Sequence, residues 1–405
     1  MNKVMTKHCH LSTKFQTRSL PYVILTHFTD SQMTKRQRIL ITLPKMQDEN
    51  RFSDVLVCYA ATFLHFIDHA NWSSTCRRFR KLGKLHASVC ENLTFSTDTH
   101  VPERVLRYLL GHRTKVLFDL SSKTNVLPLL PTCGNLIRFS SFSARPGNVA
   151  HMIDLRHLSL FCDNFTGMRN MSALTELQVL SLKSIDGNTK TGWNPSAFKS
   201  MSSLVHLSME LQLFDSKFKK ALASSGAKLT HLDLDGSECN TEVRGDDLEF
   251  LATMSLHTLK ITGMWIEDKS WSLFRNLHLR KLHLELGEAS DRFGTEELKS
   301  VVSGSPNLTH LTLDNTDLLD DDMEMLIKDT PELKSLHITS NVTGDEDNLV
   351  YIGDMAIPHF MQMPSLAFLS VSSNSFTSVG ISMLATKLNG DCMYVLKKSS
   401  VNDLH

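Results

Sequence analysis

A short pattern of apolar residues recurs along the C-terminal three quarters of the chain. In each copy an apolar residue is followed by two variable positions, a second apolar residue, one variable position and a third apolar residue. The clear copies, about 22 to 33 residues apart, are Leu155/Leu158/Leu160, Leu177/Leu180/Leu182, Leu204/Leu207/Met209, Leu229/Leu232/Leu234, Leu256/Leu259/Ile261, Leu279/Leu282/Leu284, Leu308/Leu311/Leu313, Leu333/Leu336/Ile338 and Leu366/Leu369/Val371. Weaker copies precede them at residues 93–95, 116–120 and 135–139. Because side chains alternate along a strand, each copy predicts a short strand with one buried face.

This spacing is typical of a leucine-rich repeat. The stretches between the strands, such as residues 321–327 and 379–384, predict helices. With strands on one side and wider helices on the other, the stack is expected to curve, and each repeat contacts only its neighbours. The sequence therefore predicts an α/β fold in which residues 91–405 form a curved leucine-rich-repeat solenoid with helix-bearing repeats.

Residues 46–90 follow a helical pattern instead. Aromatic and apolar residues recur there at intervals of three and four, which places them on one face of each of two short helices. Asp68 is suited to cap the second helix. The residues of these faces are Val55, Leu56, Tyr59, Phe63, Phe66 and Ile67 in the first helix, and Trp72, Cys76, Phe79 and Leu82 in the second. Such a small unit needs a partner surface to bury its apolar side chains.

The segment from Asp68 to Leu82, with its run Cys76-Arg77-Arg78-Phe79, resembles the second half of an F-box. In the first half, Phe52-Ser53 stands where that family has Leu-Pro. With the repeats, the chain resembles F-box and leucine-rich-repeat proteins, which are substrate receptors of cullin-type ubiquitin ligases. The resemblance implies that the F-box docks on a Skp adaptor and through it on a cullin, while the repeats hold the target protein. The residues implied in adaptor binding are Phe52, Val55, Leu56, Tyr59, Phe63, Leu64, Trp72, Cys76 and Phe79.

The same helices have a second interpretation. A solenoid needs a cap over its open end, and an aromatic helix pair can supply one. In that case the chain is a protein-binding scaffold without a role in ubiquitin transfer. The two hypotheses differ in whether the aromatic face of residues 52–82 is open or closed over the first repeat.

The solvent-facing side of the strands is the predicted target surface. The residues between the leucines point to this side, and acidic residues gather in its middle, which would favour a basic segment of the target. The candidate target-binding residues are His206, Ser208, Glu210, His231, Asp233, Asp235, Lys260, His283, Glu285, His310 and Asp314. His206 and His231 occupy equivalent positions in adjacent repeats. The Leu-Thr-His-Leu unit at His231 returns at His310, and repetition of such a unit explains the recurrence better than a zinc site. No metal or other cofactor is therefore predicted.

Composition excludes several classes of function. The chain has 405 residues, of which 41% are hydrophobic, and its formal net charge is zero. It is too long and too apolar for a disordered tail, and its charge is not that of a nucleic-acid-binding protein. No apolar run is long enough to cross a membrane, and no motif of an enzyme is present. The chain is therefore predicted to be a non-catalytic adaptor or binding protein.

The cysteines and the N-terminal segment indicate the cellular compartment of the protein. The eight cysteines are scattered, which indicates reduced thiols in the cytoplasm or nucleus. Residues 1–45 carry eight Lys or Arg and one acid, Asp30. We expect this basic segment to be a disordered extension. A start at Met46 and a mitochondrial transit peptide are the alternatives.

Overall fold

The computed structural model describes residues 92–95, 103, 106–107, 110, 114–119, 126–184, 192–236, 242–286, 293–314, 316–339, 352–372, 376–387 and 393–397. The predicted extension at residues 1–45 and the predicted F-box-like unit at residues 46–90 lie outside them.

Parallel strands dominate the described part of the chain. They pair in sequence order into one open sheet, and only the two-residue strand β8 lies off this path, against the end of β9. The strands are β1 (Asn92–Phe95), β2 (Val116–Asp119), β3 (Arg138–Ser141), β4 (His157–Cys162), β5 (Val179–Ser184), β6 (His206–Glu210), β7 (His231–Asp235), β8 (Glu242–Val243), β9 (Thr258–Ile266), β10 (Lys281–Leu286), β11 (His310–Asp314), β12 (Ser335–Thr339), β13 (Phe368–Ser372) and β14 (Met393–Lys397).

The recurring apolar residues form the core that holds this sheet to the layer behind it. In register, Leu158 of β4 lies beside Leu180 of β5, and Leu311 of β11 lies beside Leu336 of β12. These four leucines are at most 1% exposed. All the apolar residues of the clear copies are buried except Leu366, which is half-buried. The strands of the clear copies are thereby fixed by a continuous column of leucines that no single repeat could bury alone.

Helices connect the strands on the other side of the core. The α-helices are Pro146–Val149, Ser216–Ser225, Gly245–Ala252, Thr295–Gly304, Asp320–Asp329, Ile357–Phe360 and Ser378–Lys387. The 3-10 helices are Leu127–Thr132, Met168–Ala173, Pro195–Ser200, Leu211–Leu213, Asp268–Asn276 and Asp354–Ala356.

Local sequence explains where helices begin and end. Helix Ser216–Ser225 begins after Asp215, whose carboxylate accepts a hydrogen bond from the Phe218 backbone N–H at 2.8 Å. It ends at Gly226, whose φ of 69° is a left-handed conformation that glycine adopts without strain. In Leu127–Thr132, Pro131 lies inside the helix and cannot donate an α-helical hydrogen bond, and this segment is a 3-10 helix.

The predicted strands of the clear and weaker copies are all confirmed, as are the helices predicted at residues 321–327 and 379–384. Several connections predicted as helical are 3-10 rather than α-helices. Strands β8 and β14 were not predicted, and neither was the extension of β9 to Ile266. Among the described residues, no helix combines the length and the apolar character needed to cross a bilayer.

Candidate binding face of the sheet

The side of the sheet turned away from the leucine core carries the residues that alternate with the buried positions. In β4, β5 and β7, half-buried and buried residues alternate along the strand. Because neighbouring strands pair in parallel register, these residues line up in rows across the sheet. We call the three rows together the strand face.

The first row contains Val116, Arg138, His157, Val179, His206, His231, Thr258, Lys281, His310, Ser335 and Phe368. The second row contains Phe118, Ser140, Ser159, Ser181, Ser208, Asp233, Lys260, His283, Thr312, His337 and Ser370. The third row contains Phe161, Lys183, Glu210, Asp235, Thr262, Glu285, Asp314, Thr339 and Ser372.

The structure thus brings the candidate target-binding residues together in neighbouring rows. His206, His231 and His310 lie in the first row, and Ser208, Asp233, Lys260 and His283 lie in the second. Glu210, Asp235, Glu285 and Asp314 lie in the third. Their role in binding a target stays a prediction.

A pair of stacked histidines marks the middle of the strand face. The rings of His206 and His231 lie with centroids 5.4 Å apart and planes inclined by 18°. His206 Nε2 is 3.1 Å from Asp233 Oδ2, and His231 Nδ1 is 2.8 Å from the hydroxyl of Thr230. Burial lowers the pKa of His231, and His206 lowers it further while Asp233 opposes the change. The His231 imidazole therefore favours its neutral form.

The position of Glu210 differs from the prediction that its carboxylate is available to a target. It is only 5% exposed, so it does not offer a carboxylate to a target. Its side chain accepts a hydrogen bond from the backbone N–H of Ser184 and another from the Gln212 amide at 2.7 Å. A buried carboxylate needs such donors, and the bond from Ser184 ties β6 to the end of β5.

Asp235 is also engaged within the strand face. Lys183 reaches from β5 across β6 and places its Nζ 2.7 Å from Asp235 Oδ2. Both side chains are about one-third exposed or less, at 34% and 26%. The pair offsets much of the negative charge that the sequence placed at this position.

Acidic and imidazole groups meet again on β10, β11 and β12. His283 Nε2 lies 3.8 Å from Glu285 Oε2, and one ligand atom each from His283, Glu285 and Asp314 all lie within 4.8 Å of one another. Asp314 Oδ1 accepts a hydrogen bond from the Thr339 hydroxyl at 2.8 Å and lies 3.3 Å from His337 Nε2. Burial lowers the pKa of His283, and Lys260 lowers it further while Asp314 and Glu285 oppose the change.

Aromatic and basic residues occupy the N-terminal end of the strand face. The rings of Phe142 and Phe161 lie 4.6 Å apart, and the Arg138 guanidinium carbon lies 5.4 Å from the centroid of the Phe118 ring. Burial lowers the pKa of His157, and Arg138 lowers it further. This cluster was not among the predicted site residues, because the candidate target-binding residues were chosen mainly for their charge. The signal was the presence of Phe118 and Phe161 at outward positions, where other repeats carry polar residues.

The face is consequently less acidic than its sequence suggested. Asp233, Asp235 and Asp314 each have a cationic or hydrogen-bonding neighbour, and Glu210 is buried. The carboxylate that remains most open is Glu285, whose side chain is 54% exposed. The geometry is suited to contact with another macromolecule through aromatic and charged groups on rigid strands.

The predicted adaptor-binding residues fall outside the described part of the chain. They are Phe52, Val55, Leu56, Tyr59, Phe63, Leu64, Trp72, Cys76 and Phe79. Docking on a Skp adaptor therefore stays a prediction from the sequence.

Solved structures of an internalin and a leucine-rich-repeat protein are similar to the chain. No family model matches the chain, and no curated protein matches it. Among solved structures, an internalin (inlF) from Listeria monocytogenes is similar, with 16% identity and a TM-score of 0.45 over 78% of this chain and 89% of that one. A Leptospira interrogans leucine-rich-repeat protein has 14% identity and a TM-score of 0.38 over 77% of this chain and 97% of that one. The repeats, the strand register and the leucine core of this chain define a leucine-rich-repeat solenoid by themselves.

Proposed function

We propose that the chain is a non-catalytic protein-binding scaffold and that the strand face holds its target. The observation that carries the proposal is the composition of this face. Phe118, Arg138 and Phe161 lie on the same rigid sheet as the stacked histidines, and Phe142, the residue after β3, places its ring against Phe161. Aromatic residues and arginine are enriched at protein interfaces, where they contribute most of the binding energy.

Partial exposure supports the same proposal. The side chains of His206 and His337 retain 35% and 34% of their accessible surface, so an incoming protein can contact and bury them. Glu285 offers an open carboxylate to a basic segment of that protein, in keeping with the sequence-based prediction. Lys183 beside Asp235 limits how far such a segment can extend along the third row.

The proposal is tested by affinity capture of the full chain from cells, with bound proteins measured by quantitative mass spectrometry. Phe161→Ala and Glu285→Lys alter the strand face. Lys220→Glu is the matched control, because Lys220 lies exposed on helix Ser216–Ser225 on the opposite side of the core. We expect each strand-face variant to reduce the same set of partners by about tenfold, as expected for the loss of an important interface residue.

The proposal is wrong if Lys220→Glu removes those partners as strongly as Phe161→Ala does. It is equally wrong if neither strand-face variant changes the set. Circular dichroism of each purified variant checks that the chain has folded.

We further propose that this scaffold is the substrate receptor of a Skp/cullin-type ubiquitin ligase in the cytoplasm or nucleus. The support is the F-box resemblance of residues 68–82, with Cys76-Arg77-Arg78-Phe79 at its centre. In this role the chain acts by proximity, since it holds a target lysine near the conjugating enzyme. The alternative is that residues 46–90 cap the solenoid and bind no adaptor.

A reconstitution experiment separates these two functions. The purified chain is mixed with a Skp adaptor and analysed by size exclusion, with Trp72→Ala and Phe79→Ala as test variants and Phe161→Ala as the control. Co-elution that both test variants abolish and the control retains supports the receptor. A folded chain that forms no complex with the adaptor contradicts the receptor and favours the scaffold with a cap.

A further inference from the structure

The strand face contains a group of metal-ligating side chains, of which the protein-binding proposal uses only Glu285. His283 and Glu285 lie two residues apart on the same face of β10, and Asp314 is the register partner of Glu285 on β11. One ligand atom from each of the three lies within 4.8 Å of the others. We propose that His283, Glu285 and Asp314 bind a divalent transition-metal ion of the zinc class.

The first support is the state of the His283 ring. Its Nε2 atom is buried and has no hydrogen-bond partner, although it faces the Glu285 carboxylate at 3.8 Å. A buried polar atom without a partner is costly, and proteins rarely leave one. A metal ion between the imidazole and the carboxylates would satisfy this nitrogen.

The second support is the arrangement around Asp314. The Thr339 hydroxyl donates to its Oδ1 at 2.8 Å, and His337 Nε2 lies 3.3 Å from the same oxygen. The Asp314 side chain is only 23% exposed, so its position is well restricted. Metal-ligating carboxylates are commonly oriented by outer hydrogen bonds of this kind. Thr339 and His337 are therefore positioning residues in this proposal.

Distances allow the site to form with small movements. Two ligands of a tetrahedral zinc ion, each about 2.1 Å from the metal, lie roughly 3.4 Å apart. The ligand atoms here are at most 4.8 Å apart, so they must approach one another by up to about 1.4 Å. Glu285 can supply that movement, because its side chain is 54% exposed and the strands beneath it stay fixed.

The donor set selects the type of ion. One imidazole nitrogen and two carboxylate oxygens suit zinc and similar transition metals, whereas calcium and magnesium prefer oxygen ligands alone. Lys260 opposes the site, since it is the register partner of His283 and carries a positive charge. Two carboxylates and one ammonium group still leave a net negative charge for a cation, and Lys260 gives the proposal an additional test.

The experiment uses the full chain, stripped of metal with a chelator and then titrated with Zn²⁺ in the presence of a chromophoric competitor. Binding of Co²⁺ is followed in parallel through the visible bands of a tetrahedral site. We expect His283→Gln and Asp314→Asn each to weaken Zn²⁺ binding by at least about 100-fold. His337→Ala should weaken it by about 10-fold, and Lys260→Gln should strengthen it.

His310→Gln and His206→Gln are the controls, because His310 and His206 lie on the same face outside this cluster. Both controls should bind Zn²⁺ like the unmodified chain. Unchanged affinity in His283→Gln overturns the proposal, and so does an equal loss in either control. If Asp314→Asn fails to fold, the opposite shifts expected for His337→Ala and Lys260→Gln decide the question. Failure of this test leaves the protein-binding proposal unaffected, because its readout is a metal affinity.

Discussion

Replacement of Phe198 by alanine tests whether the layer behind the sheet is packed as described. Phe198 is fully buried in the 3-10 helix Pro195–Ser200. Its ring meets that of Phe218 edge to face at 4.7 Å and lies 5.9 Å from that of Trp193. Phe198→Ala therefore removes a ring that joins two successive repeats.

The magnitude follows from what the ring contributes. Burying a phenylalanine side chain stabilises a fold by about 1.5–3 kcal/mol. A favourable aromatic pair adds roughly 0.5–1.5 kcal/mol, and the cavity left behind adds a further cost. We expect Phe198→Ala to lower the free energy of unfolding by about 4 kcal/mol, within the usual range for this substitution.

Urea denaturation followed by circular dichroism gives the loss of stability. Hydrogen exchange measured by mass spectrometry locates it, because repeats contact only their neighbours. Protection should fall mainly in the Pro195–Ser200 and Ser216–Ser225 helices and in β5 to β7. The matched control is Phe161→Ala, since Phe161 is half-exposed on the strand face, and this change should cost only about 1 kcal/mol. Equal losses for the two variants, or a loss below about 1 kcal/mol for Phe198→Ala, would refute the packing argument.

Three further predictions concern ionisation, backbone strain and reactivity. The folded-state pKa of His231 lies below the usual 6.5 because of burial and because of His206. The neutral ring therefore contributes stability above about pH 6.5, and this contribution is lost as the pH falls from 6.5 through the folded-state pKa. His231→Gln should flatten the decrease in melting temperature between pH 7.5 and 5.5. Gly167 has a φ of 84°, and an added Cβ there would lie 2.5 Å from the Cα of Gly147, so Gly167→Ala should destabilise by about 2 kcal/mol or more. Gly226→Ala, with a φ of 69° and open space, should cost about 1 kcal/mol in the same urea titration. Burial raises the pKa of the Cys162 thiol to about 12, so iodoacetamide at pH 8 should label it only after unfolding, and rapid labelling of the native chain would contradict this placement.

The leucine core could be predicted because its apolar residues recur at a fixed spacing. Apolar residues at fixed spacing specify both the strand and its buried side, and for this reason Leu207 and Leu282 are buried as predicted. Strand β14 lacks the recurring leucine pattern, which explains why it was missed. The extension of β9 depends on Gly263, whose positive φ of 64° lets the strand continue past its expected end. The spacing of apolar residues does not predict such a backbone conformation.

The positions of the strand-face residues could be predicted from the sequence, but the contacts of their side chains could be predicted less well. Alternation placed Glu210 on the exposed side, but β6 ends at this residue and the carboxylate turns to the Ser184 N–H instead. The salt bridge from Lys183 to Asp235 crosses an intervening strand, so it depends on side-chain length and rotamer rather than on spacing. Such choices are made by local desolvation and hydrogen bonding, which a pattern of residue types does not contain.

The register of the sheet and the leucine core do not depend on the length of each repeat. The strands of unequal repeats still pair in register, as His310 with Ser335 and Ser335 with Phe368. The described helices behind the sheet differ between repeats, since the connection from β11 to β12 carries the α-helix Asp320–Asp329 and the connection from β4 to β5 carries the 3-10 helix Met168–Ala173. Outward residues can therefore change without altering either register or burial. The cluster around Asp314 and the aromatic cluster around Phe161 then need no compensation from the leucines beneath them, which makes separate single-residue tests of the two clusters meaningful.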